Sequence, residues 1–193
     1  MMITLTGFMG SGKTTVGKVL ADFLGCPFMD LDDLVVKKAG KSIPDIFAQD
    51  GEPAFRQLEA QVLRKTVEKY AESTAVLALG GGAILAPASA ALLHEKTVCI
   101  YLRASLDTLL QHLSGETAGR PLLQEIPDQV GDDGGSVVMP GPGSTVMPGP
   151  DRASVSARLA SREPIYEETA HVTIDTDGLS PDEVADEIII SAL

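Results

Sequence analysis

The chain has 193 residues, of which 44% are hydrophobic and 22% are charged. It contains no apolar run approaching the length of about 18 residues that a membrane-spanning helix needs, so the composition predicts one soluble domain with a sizeable core. The formal net charge of −12 argues against sequence-independent binding to nucleic acid or to an anionic membrane surface.

Short apolar segments alternate with segments of helical periodicity along the chain. Strands are predicted at 3–6, 28–29, 74–79, 97–102 and 171–174. Helices are predicted at 14–24, from the aspartates at 30–33 onward, and at 52–70, 87–94, 106–113, 153–162 and 181–193. This alternation predicts an α/β fold of three layers, in which a five-stranded parallel sheet lies between helices. In such sheets, ligands bind beyond the carboxyl ends of the strands.

The two cysteines, Cys26 and Cys99, do not indicate a disulfide scaffold. The chain shows no signal segment at its start, which favours a reducing compartment. We expect both thiols to act as small core hydrophobes.

Residues 7–14 read GFMGSGKT and match the phosphate-binding pattern G-x-x-x-x-G-K-[ST] in full. They also lie between a predicted strand and a predicted helix, as that loop requires. Glycines let successive backbone N–H groups face a polyphosphate at the positive end of the helix. Lys13 adds a charge for the outer phosphates, and the Thr14 hydroxyl is a candidate ligand of Mg²⁺. A purine nucleoside triphosphate, by default ATP, is therefore the expected ligand.

Asp30 and Asp32 follow the second predicted strand with one residue between them. In an extended chain, their side chains would share a face. One carboxylate could bind Mg²⁺ through water while the other accepts the proton of an attacking hydroxyl. An equally good interpretation is an acidic helix N-terminus, which Asp33 would serve as well.

Further candidates follow the later strands. Arg56 lies one turn from Glu59, a spacing at which a surface ion pair contributes only about 0.2–0.5 kcal/mol. The three glycines at 80–82 directly follow a predicted strand, and they permit close backbone approach to a ligand, although a loose turn is the alternative. Arg120 and Arg162 each precede a predicted break in regular structure. Such guanidinium groups can grip carboxylates or phosphates at two points, although isolated arginines are more often solvated.

Together these motifs resemble those of the shikimate kinases, in the same order and at similar spacing. The matching segments are GFMGSGKTT at 7–15, DLD at 30–32, FR at 55–56 with Glu59, GGGA at 80–83, RPLL at 120–123 and REPIY at 162–166. Single motifs are shared with other nucleoside-monophosphate-kinase-like proteins, whereas the set is specific. The resemblance implies an α/β fold of the P-loop kinase type. It also implies Mg²⁺-assisted phosphorylation of the 3-hydroxyl of shikimate by ATP, in the pathway through chorismate to the aromatic amino acids.

The resemblance further implies roles for individual residues. ATP would be bound by Gly10, Ser11, Gly12, Lys13, Thr14, Thr15 and Arg120. Thr14 and Asp30 would bind the metal ion, and shikimate would be bound by Asp32, Arg56, Gly81 and Arg162. Of these residues, Lys13, Asp32 and Arg120 would be catalytic, with Asp32 as general base and Arg120 on a closing lid.

The chain departs from this family pattern in its adenine contact. The family usually places an arginine shortly before the lid to stack on adenine, whereas residues 110–114 here read LQHLS. His112 could replace that contact, although a lone helical histidine is more often simply exposed.

A second departure is the long interval between Arg120 and Arg162. The surplus lies at about 124–151, which carries five acidic residues, no basic residue and two copies of VMPGP, at 138–142 and 146–150. Such a composition predicts a mobile surface insertion within a lid region near 114–152.

Two other functions remain open from the sequence. A related sugar-acid kinase, such as one acting on gluconate, would share the P-loop, and a nucleotide-binding regulatory protein would lack turnover. Retention of Lys13, Thr14 and Asp32 favours an enzyme. We expect residues 1–193 to form a single cytoplasmic, monomeric domain that takes ATP and shikimate and binds neither nucleic acid nor membrane.

Overall fold

The computed structural model describes residues 1–115 and 151–192. The strands are β1 (Met2–Thr6), β2 (Phe28–Asp30), β3 (Ala75–Ala78), β4 (Val98–Arg103) and β5 (Val172–Asp175). The α-helices are α1 (Lys13–Leu24), α2 (Leu31–Ala39), α3 (Ile43–Lys69), α4 (Pro87–Lys96), α5 (Leu106–Gly115), α6 (Arg152–Thr169) and α7 (Pro181–Ala192). A 3₁₀ turn at Ala83–Leu85 precedes α4. All five predicted strands are present, close to their predicted bounds.

The strands form one parallel sheet in the order β2-β3-β1-β4-β5, which confirms the predicted α/β fold. Strand β1 lies at the centre, with Leu5 beside Ala78 of β3 and Thr6 beside Tyr101 of β4. The loops that follow β1, β2 and β3 therefore emerge side by side at the carboxyl edge of the sheet. That edge is where the predicted site residues belong.

Helices cover both faces of the sheet and give the predicted three layers. On one face, α1 and α7 bury Leu20 and Ile188 against alternate residues of β1, such as Leu5. On the other face, α2, α3, α4 and α6 form the larger apolar cluster. A third, smaller cluster joins Phe8 of the P-loop to α5 and α6, through Leu109 and Val155. Helices α5 and α6, which flank residues 116–150, therefore pack against Phe8 of the P-loop.

Helix α3 begins earlier than the predicted helix at 52–70. Ser42 caps its N-terminus, where the Ser42 hydroxyl oxygen accepts from the Asp45 backbone N–H. The helix is interrupted at Gly51, whose φ of 80° and ψ of 169° are not helical. The prediction therefore found only the second segment, because the first is short and the glycine separates the two periodic patterns.

Helix α6 extends beyond the predicted end at residue 162, to Thr169, and contains Pro164. The expectation that Arg162 precedes a break in regular structure is therefore wrong. Proline removes one backbone hydrogen bond from a helix. The helix continues because it buries Val155, Tyr166 and Thr169 on one face, and packing of such a face dominates helix stability.

The two thiols differ in burial. Cys99 in β4 is fully buried, and burial raises the pKa of its thiol to about 11, as expected of a core cysteine. Cys26 is only partly buried against the edge of the core, so the same expectation is wrong for it. Within the described ranges, no helix is both long and apolar enough to span a bilayer.

Much of the predicted lid region near 114–152, with Arg120 and almost all of the insertion at 124–151, lies outside the described residues. The last two residues of that region are described. Asp151 caps α6, and Arg152 is the first residue of that helix. Both the assignment of the whole chain to a single domain and the surface insertion stay predictions.

Candidate active site

The P-loop connects β1 to α1 through a backbone that needs its glycines. The φ angles of Gly7, Gly10 and Gly12 are 140°, 81° and 85°, and a Cβ on Gly7 would lie 2.6 Å from the Leu102 carbonyl oxygen. Gly12 is also the N-cap of α1 and provides no side-chain acceptor. The first-turn N–H groups of α1 therefore suit an anionic ligand such as a phosphate.

Hydrogen bonds to the P-loop hold the Lys13 ammonium against it. Its Nζ donates to the carbonyl oxygens of Gly7 at 2.9 Å and Phe8 at 2.7 Å. The positive charge of Lys13 also lowers the pKa of Asp32, although burial of Asp32 has the larger and opposite effect. The predicted phosphate-binding lysine and the predicted base therefore lie within electrostatic range of each other.

Asp30 joins the P-loop to α2 through its two carboxylate oxygens. Oδ2 accepts from the Thr14 hydroxyl at 2.9 Å, and Oδ1 accepts from the Asp32 backbone N–H at 3.0 Å as the N-cap of α2. The expectation that Asp30 and Asp32 share a face of extended chain is wrong, because Asp32 lies in the first turn of α2. Helix capping brings the two aspartates together instead, so Asp30 also fits the alternative interpretation of an acidic helix N-terminus.

The oxygen atoms of Thr14 and Asp30 fit a magnesium ion. Mg²⁺ prefers hard oxygen ligands and is commonly held by one or two protein groups together with substrate phosphates and water. Among residues 1–115 and 151–192, no group of three or more His, Cys, Asp or Glu side chains could hold a metal. A metal ion at Thr14 and Asp30 would therefore depend on oxygen atoms from the nucleotide.

Asp32 lies beside the glycine turn at 80–82. A Cβ on Gly80 would lie 2.8 Å from Asp32 Oδ1, so the turn and the carboxylate are in close contact. Burial raises the pKa of Asp32, the nearby charge of Asp30 raises it further, and Lys13 and Arg56 partly oppose both effects. A carboxylate with a raised pKa is a stronger proton acceptor, as general base catalysis requires.

Arg56 is bracketed by two carboxylates of α3. Its Nη1 donates to Glu59 Oε2 at 2.9 Å, and its Nε donates to Glu52 Oε1 at 3.3 Å. The Glu59 side chain is only 5% exposed, so this pair is not the surface ion pair that the spacing predicts. A Cβ on Gly82 would lie 2.6 Å from Arg56 Nη1, so the guanidinium lies directly against the glycine turn.

Arg162 and Tyr166, one turn apart on α6, complete the site. The Tyr166 hydroxyl donates to the Gly81 carbonyl at 2.6 Å. Burial raises the pKa of Tyr166, and the nearby charge of Arg162 partly opposes that effect. The centre of the Arg162 guanidinium lies 5.9 Å from the centroid of the Phe8 ring. The structure therefore brings the described candidates from the P-loop, α2, α3, the glycine turn and α6 to one place.

Sequence reasoning missed the contacts of Glu52, Tyr166 and His112. The spacing of Glu52, Arg56 and Glu59 along one helix face could have identified both carboxylate partners, whereas Tyr166 gave no separate signal. His112 is exposed, and its Nδ1 lies 2.7 Å from the Gly10 carbonyl oxygen. Because a carbonyl only accepts, Nδ1 must carry the hydrogen. A contact between His112 and adenine stays a prediction.

Comparison with known proteins adds evidence over nearly the whole chain. A family model described as shikimate kinase matches residues 9–192. The shikimate kinase of Salinibacter ruber is 43% identical over 177 residues, which are 92% of this chain and 78% of the relative. The shikimate kinase of Enterococcus faecalis is 37% identical over 188 residues, which are 97% of this chain and 95% of the relative.

Solved structures show the same likeness. The shikimate kinase of Acinetobacter baumannii in complex with shikimate is 32% identical with a TM-score of 0.76, and the match covers 97% of this chain and 90% of that one. A gluconokinase from Sinorhizobium meliloti matches with a TM-score of 0.55 at 18% identity, over 98% of this chain and 89% of that one. This second likeness shows a shared fold alone.

Proposed function

The chain belongs to the shikimate kinase family, and from that membership we propose that it transfers the terminal phosphoryl group of ATP to the 3-hydroxyl of shikimate. The products would be shikimate 3-phosphate and ADP, on the route to chorismate and the aromatic amino acids. The observation that carries this proposal is that the glycine turn at 80–82 contacts both the P-loop and the residues proposed to bind shikimate. Gly80 and Gly82 lie against Asp32 and Arg56, while a Cβ on Gly81 would lie 3.6 Å from the Gly7 carbonyl oxygen of the P-loop.

On the acceptor side, Asp32, Arg56, Gly81 and Arg162 would bind shikimate. The guanidinium groups of Arg56 and Arg162 suit the substrate carboxylate, and Asp32 suits its hydroxyl groups. In the transfer step, Asp32 would accept the proton of the 3-hydroxyl as that oxygen bonds to the γ-phosphorus. The bond from this phosphorus to the bridging oxygen breaks at the same stage, and its electron pair leaves with ADP.

On the nucleotide side, Lys13 and the backbone N–H groups of Gly10, Ser11 and Gly12 would bind the phosphates, with Thr14 and Thr15 in the first turn of α1. Such catalysis is chiefly positioning and charge neutralisation. Bound Mg²⁺ would shield phosphate charge near Thr14, with Asp30 assisting through water. Arg120, outside the described residues, would complete the charge neutralisation from the lid.

Two other functions account less well for the site. A gluconate kinase shares the fold, but the paired arginines and the glycine turn beside Asp32 favour shikimate. A nucleotide-binding regulator without turnover would not need a buried carboxylate with a raised pKa beside the phosphate loop. We therefore propose a catalytic role for Lys13, Asp32 and Arg120, in a cytoplasmic and monomeric enzyme.

The direct test is a coupled assay of ADP release with shikimate, with gluconate and with no acceptor. We expect turnover that depends on both shikimate and Mg²⁺. Turnover with gluconate alone would favour the sugar-acid kinase, and nucleotide binding without turnover would favour the regulator. Release of ADP at the same rate without an acceptor would contradict the proposed function.

A further inference from the structure

Tyr166 is fully buried between the glycine turn and the sheet. Its ring packs against Tyr101 of β4, with ring centroids 5.1 Å apart and ring planes at 32°. Its hydroxyl reaches the Gly81 carbonyl at 2.6 Å, across 85 residues of chain. Packing of the ring thus limits the positions that the hydroxyl can take. The hydroxyl contacts the glycine turn, which we place on the shikimate side of the site.

The direction of this hydrogen bond follows from the chemistry of the groups. A phenol has one hydrogen to donate, and the Gly81 carbonyl can only accept, so the Tyr166 hydrogen points to Gly81. The oxygen of the same phenol keeps its lone pairs for a donor, and Arg162 lies one turn away on α6. Burial raises the pKa of Tyr166, and the nearby charge of Arg162 partly opposes that effect. One hydroxyl therefore joins the backbone of the glycine turn to α6, beside Arg162.

The carbonyl of Gly81 and the N–H of Gly82 belong to one planar peptide and point in opposite directions. Holding the carbonyl therefore also fixes the direction of the Gly82 N–H. In the described part of the chain, neither the Gly81 N–H nor the Gly82 N–H donates to a backbone carbonyl. The turn that carries them lies against Asp32, Arg56 and the P-loop, beside the groups that we propose bind shikimate.

We propose that Tyr166 is a positioning residue for phosphoryl transfer, which holds the Gly81–Gly82 peptide in place beside Arg162 through its hydroxyl group. This inference rests on the proposed function, which places the glycine turn and Arg162 on the shikimate side of the site. Preorganised contacts avoid the free-energy cost of ordering the same groups when the substrate binds. The effect of Tyr166 should therefore fall on shikimate and leave ATP largely unaffected.

The test compares Tyr166→Phe with Tyr101→Phe. Each substitution removes one hydroxyl from a buried ring of the same pair, and of the two hydroxyls described, only that of Tyr166 bonds to the glycine turn. We expect Tyr166→Phe to raise the KM for shikimate about tenfold, because the Gly81 carbonyl loses its donor and the turn is no longer held. The KM for ATP and kcat should change less than about threefold, and Tyr101→Phe should leave all three values near those of the parent. Melting temperatures confirm that each variant is folded at the assay temperature.

A double-mutant cycle tests whether the held glycine turn acts independently of Arg162. If Tyr166 acts through the Gly81–Gly82 peptide, Tyr166→Phe should raise the KM for shikimate about tenfold in an Arg162→Lys background as well. The absence of a further rise in that background would refute the link to the glycine turn.

The inference and the proposed function can fail separately. A parent chain without shikimate-dependent turnover would overturn both. An active parent, with Tyr166→Phe equal to it or with equal losses for ATP and shikimate, would overturn the positioning role alone.

Discussion

Asp32 is in a protein environment that favours its protonated form, and this has opposite consequences for stability and for catalysis. Burial raises the pKa of this carboxyl, and the neighbouring charge of Asp30 raises it further. Above that raised pKa, the fold therefore holds a poorly solvated negative charge that lowers the free energy of unfolding. The same charge is the proton acceptor in the proposed reaction.

Replacing Asp32 with asparagine should therefore stabilise the protein while abolishing turnover. At pH 7 we expect Asp32→Asn to raise the melting temperature by about 2–4 °C, the shift that about 1 kcal/mol produces in a chain of this size. ATP binding should be largely retained. Calorimetry and the coupled assay measure the two effects on one sample.

The pH dependence of this stability difference has a definite sign. The advantage of Asp32→Asn should be full above the raised pKa of Asp32. It should shrink as the pH falls through that value, and vanish below the ordinary value of about 3.9. An advantage that grows on acidification would contradict a raised pKa. The parent should also lose kcat/KM as the pH falls through the raised pKa, because a protonated Asp32 cannot accept the hydroxyl proton.

The ion pair of Arg56 and Glu59 combines a structural role with a proposed binding role, and two substitutions separate them. Arg56→Ala leaves the buried Glu59 without its nearest partner, so we expect a loss of about 2 kcal/mol. That figure is below the usual cost of breaking a buried pair because the Arg56 side chain is 34% exposed. The KM for shikimate should also rise at least tenfold.

Adding Glu59→Gln to Arg56→Ala should restore most of the lost melting temperature and none of the shikimate affinity. The reason is that glutamine removes the unpaired charge without supplying a guanidinium. Thermal unfolding and the KM for shikimate are the two readouts. Recovery of the KM in the double variant would show that Arg56 acts only through stability.

At the scale of secondary structure, the start of α2 is built from the same atoms as the proposed metal site. One oxygen of Asp30 caps the helix through the Asp32 N–H, while the other accepts from Thr14 of α1. Helix capping alone would explain an aspartate here. The bond to Thr14 shows that the same side chain also joins α2 to the nucleotide-binding loop.

Asparagine caps a helix about as well as aspartate, whereas alanine does not. We therefore expect Asp30→Asn to keep the melting temperature within about 1–2 °C of the parent and to raise the Mg²⁺ concentration needed for half-maximal activity. Asp30→Ala should show the same change in Mg²⁺ dependence and lose about 1 kcal/mol of stability as well. Equal Mg²⁺ dependence in the parent and Asp30→Asn would limit Asp30 to capping.

The helices also show which elements a sequence can predict. The amphipathic period of α1 is uninterrupted and ends at Gly25, so its bounds could be predicted to within one residue. The prediction for α3 starts only at residue 52, since Gly51 interrupts the pattern. The prediction for α6 ends too early, at residue 162 just before Pro164, because burial of Tyr166 and Thr169 against distant elements outweighs a local helix breaker.

At the scale of the whole molecule, the same distinction between local and distant contacts governs the site. The donors of the P-loop come from consecutive residues, so its motif was sufficient to predict it. The bonds from Tyr166 to Gly81 and from His112 to Gly10 depend on the strand order β2-β3-β1-β4-β5, which alternating strands and helices do not determine. Sequence reasoning therefore named most of the candidate residues but not the side chains that join them.

Charge is also distributed unevenly along the chain. Residues 1–123 carry a net charge of −1, whereas residues 124–193 carry −11. The part with the P-loop, Asp32 and Arg56 is thus nearly neutral, so no large net negative charge there opposes the binding of an anionic nucleotide.

The Pro/Gly-rich stretch at 131–150 gives a prediction for the whole chain. Its composition offers few apolar side chains to bury, so deleting these residues should leave the melting temperature within about 2 °C of the parent and kcat within about twofold. Calorimetry and steady-state kinetics on the shortened chain measure both values. A large loss of kcat at unchanged stability would assign the stretch a part in the reaction cycle.

The bond between Tyr166 and Gly81 joins parts of the site that are synthesised at different times. Ribosomes synthesise a chain from its N-terminus, so the P-loop, Asp32, Arg56 and the glycine turn all leave the exit tunnel before α6 does. Tyr166 follows Gly81 by 85 residues. The acceptor half of the site therefore stays incomplete in a nascent chain until α6 has emerged.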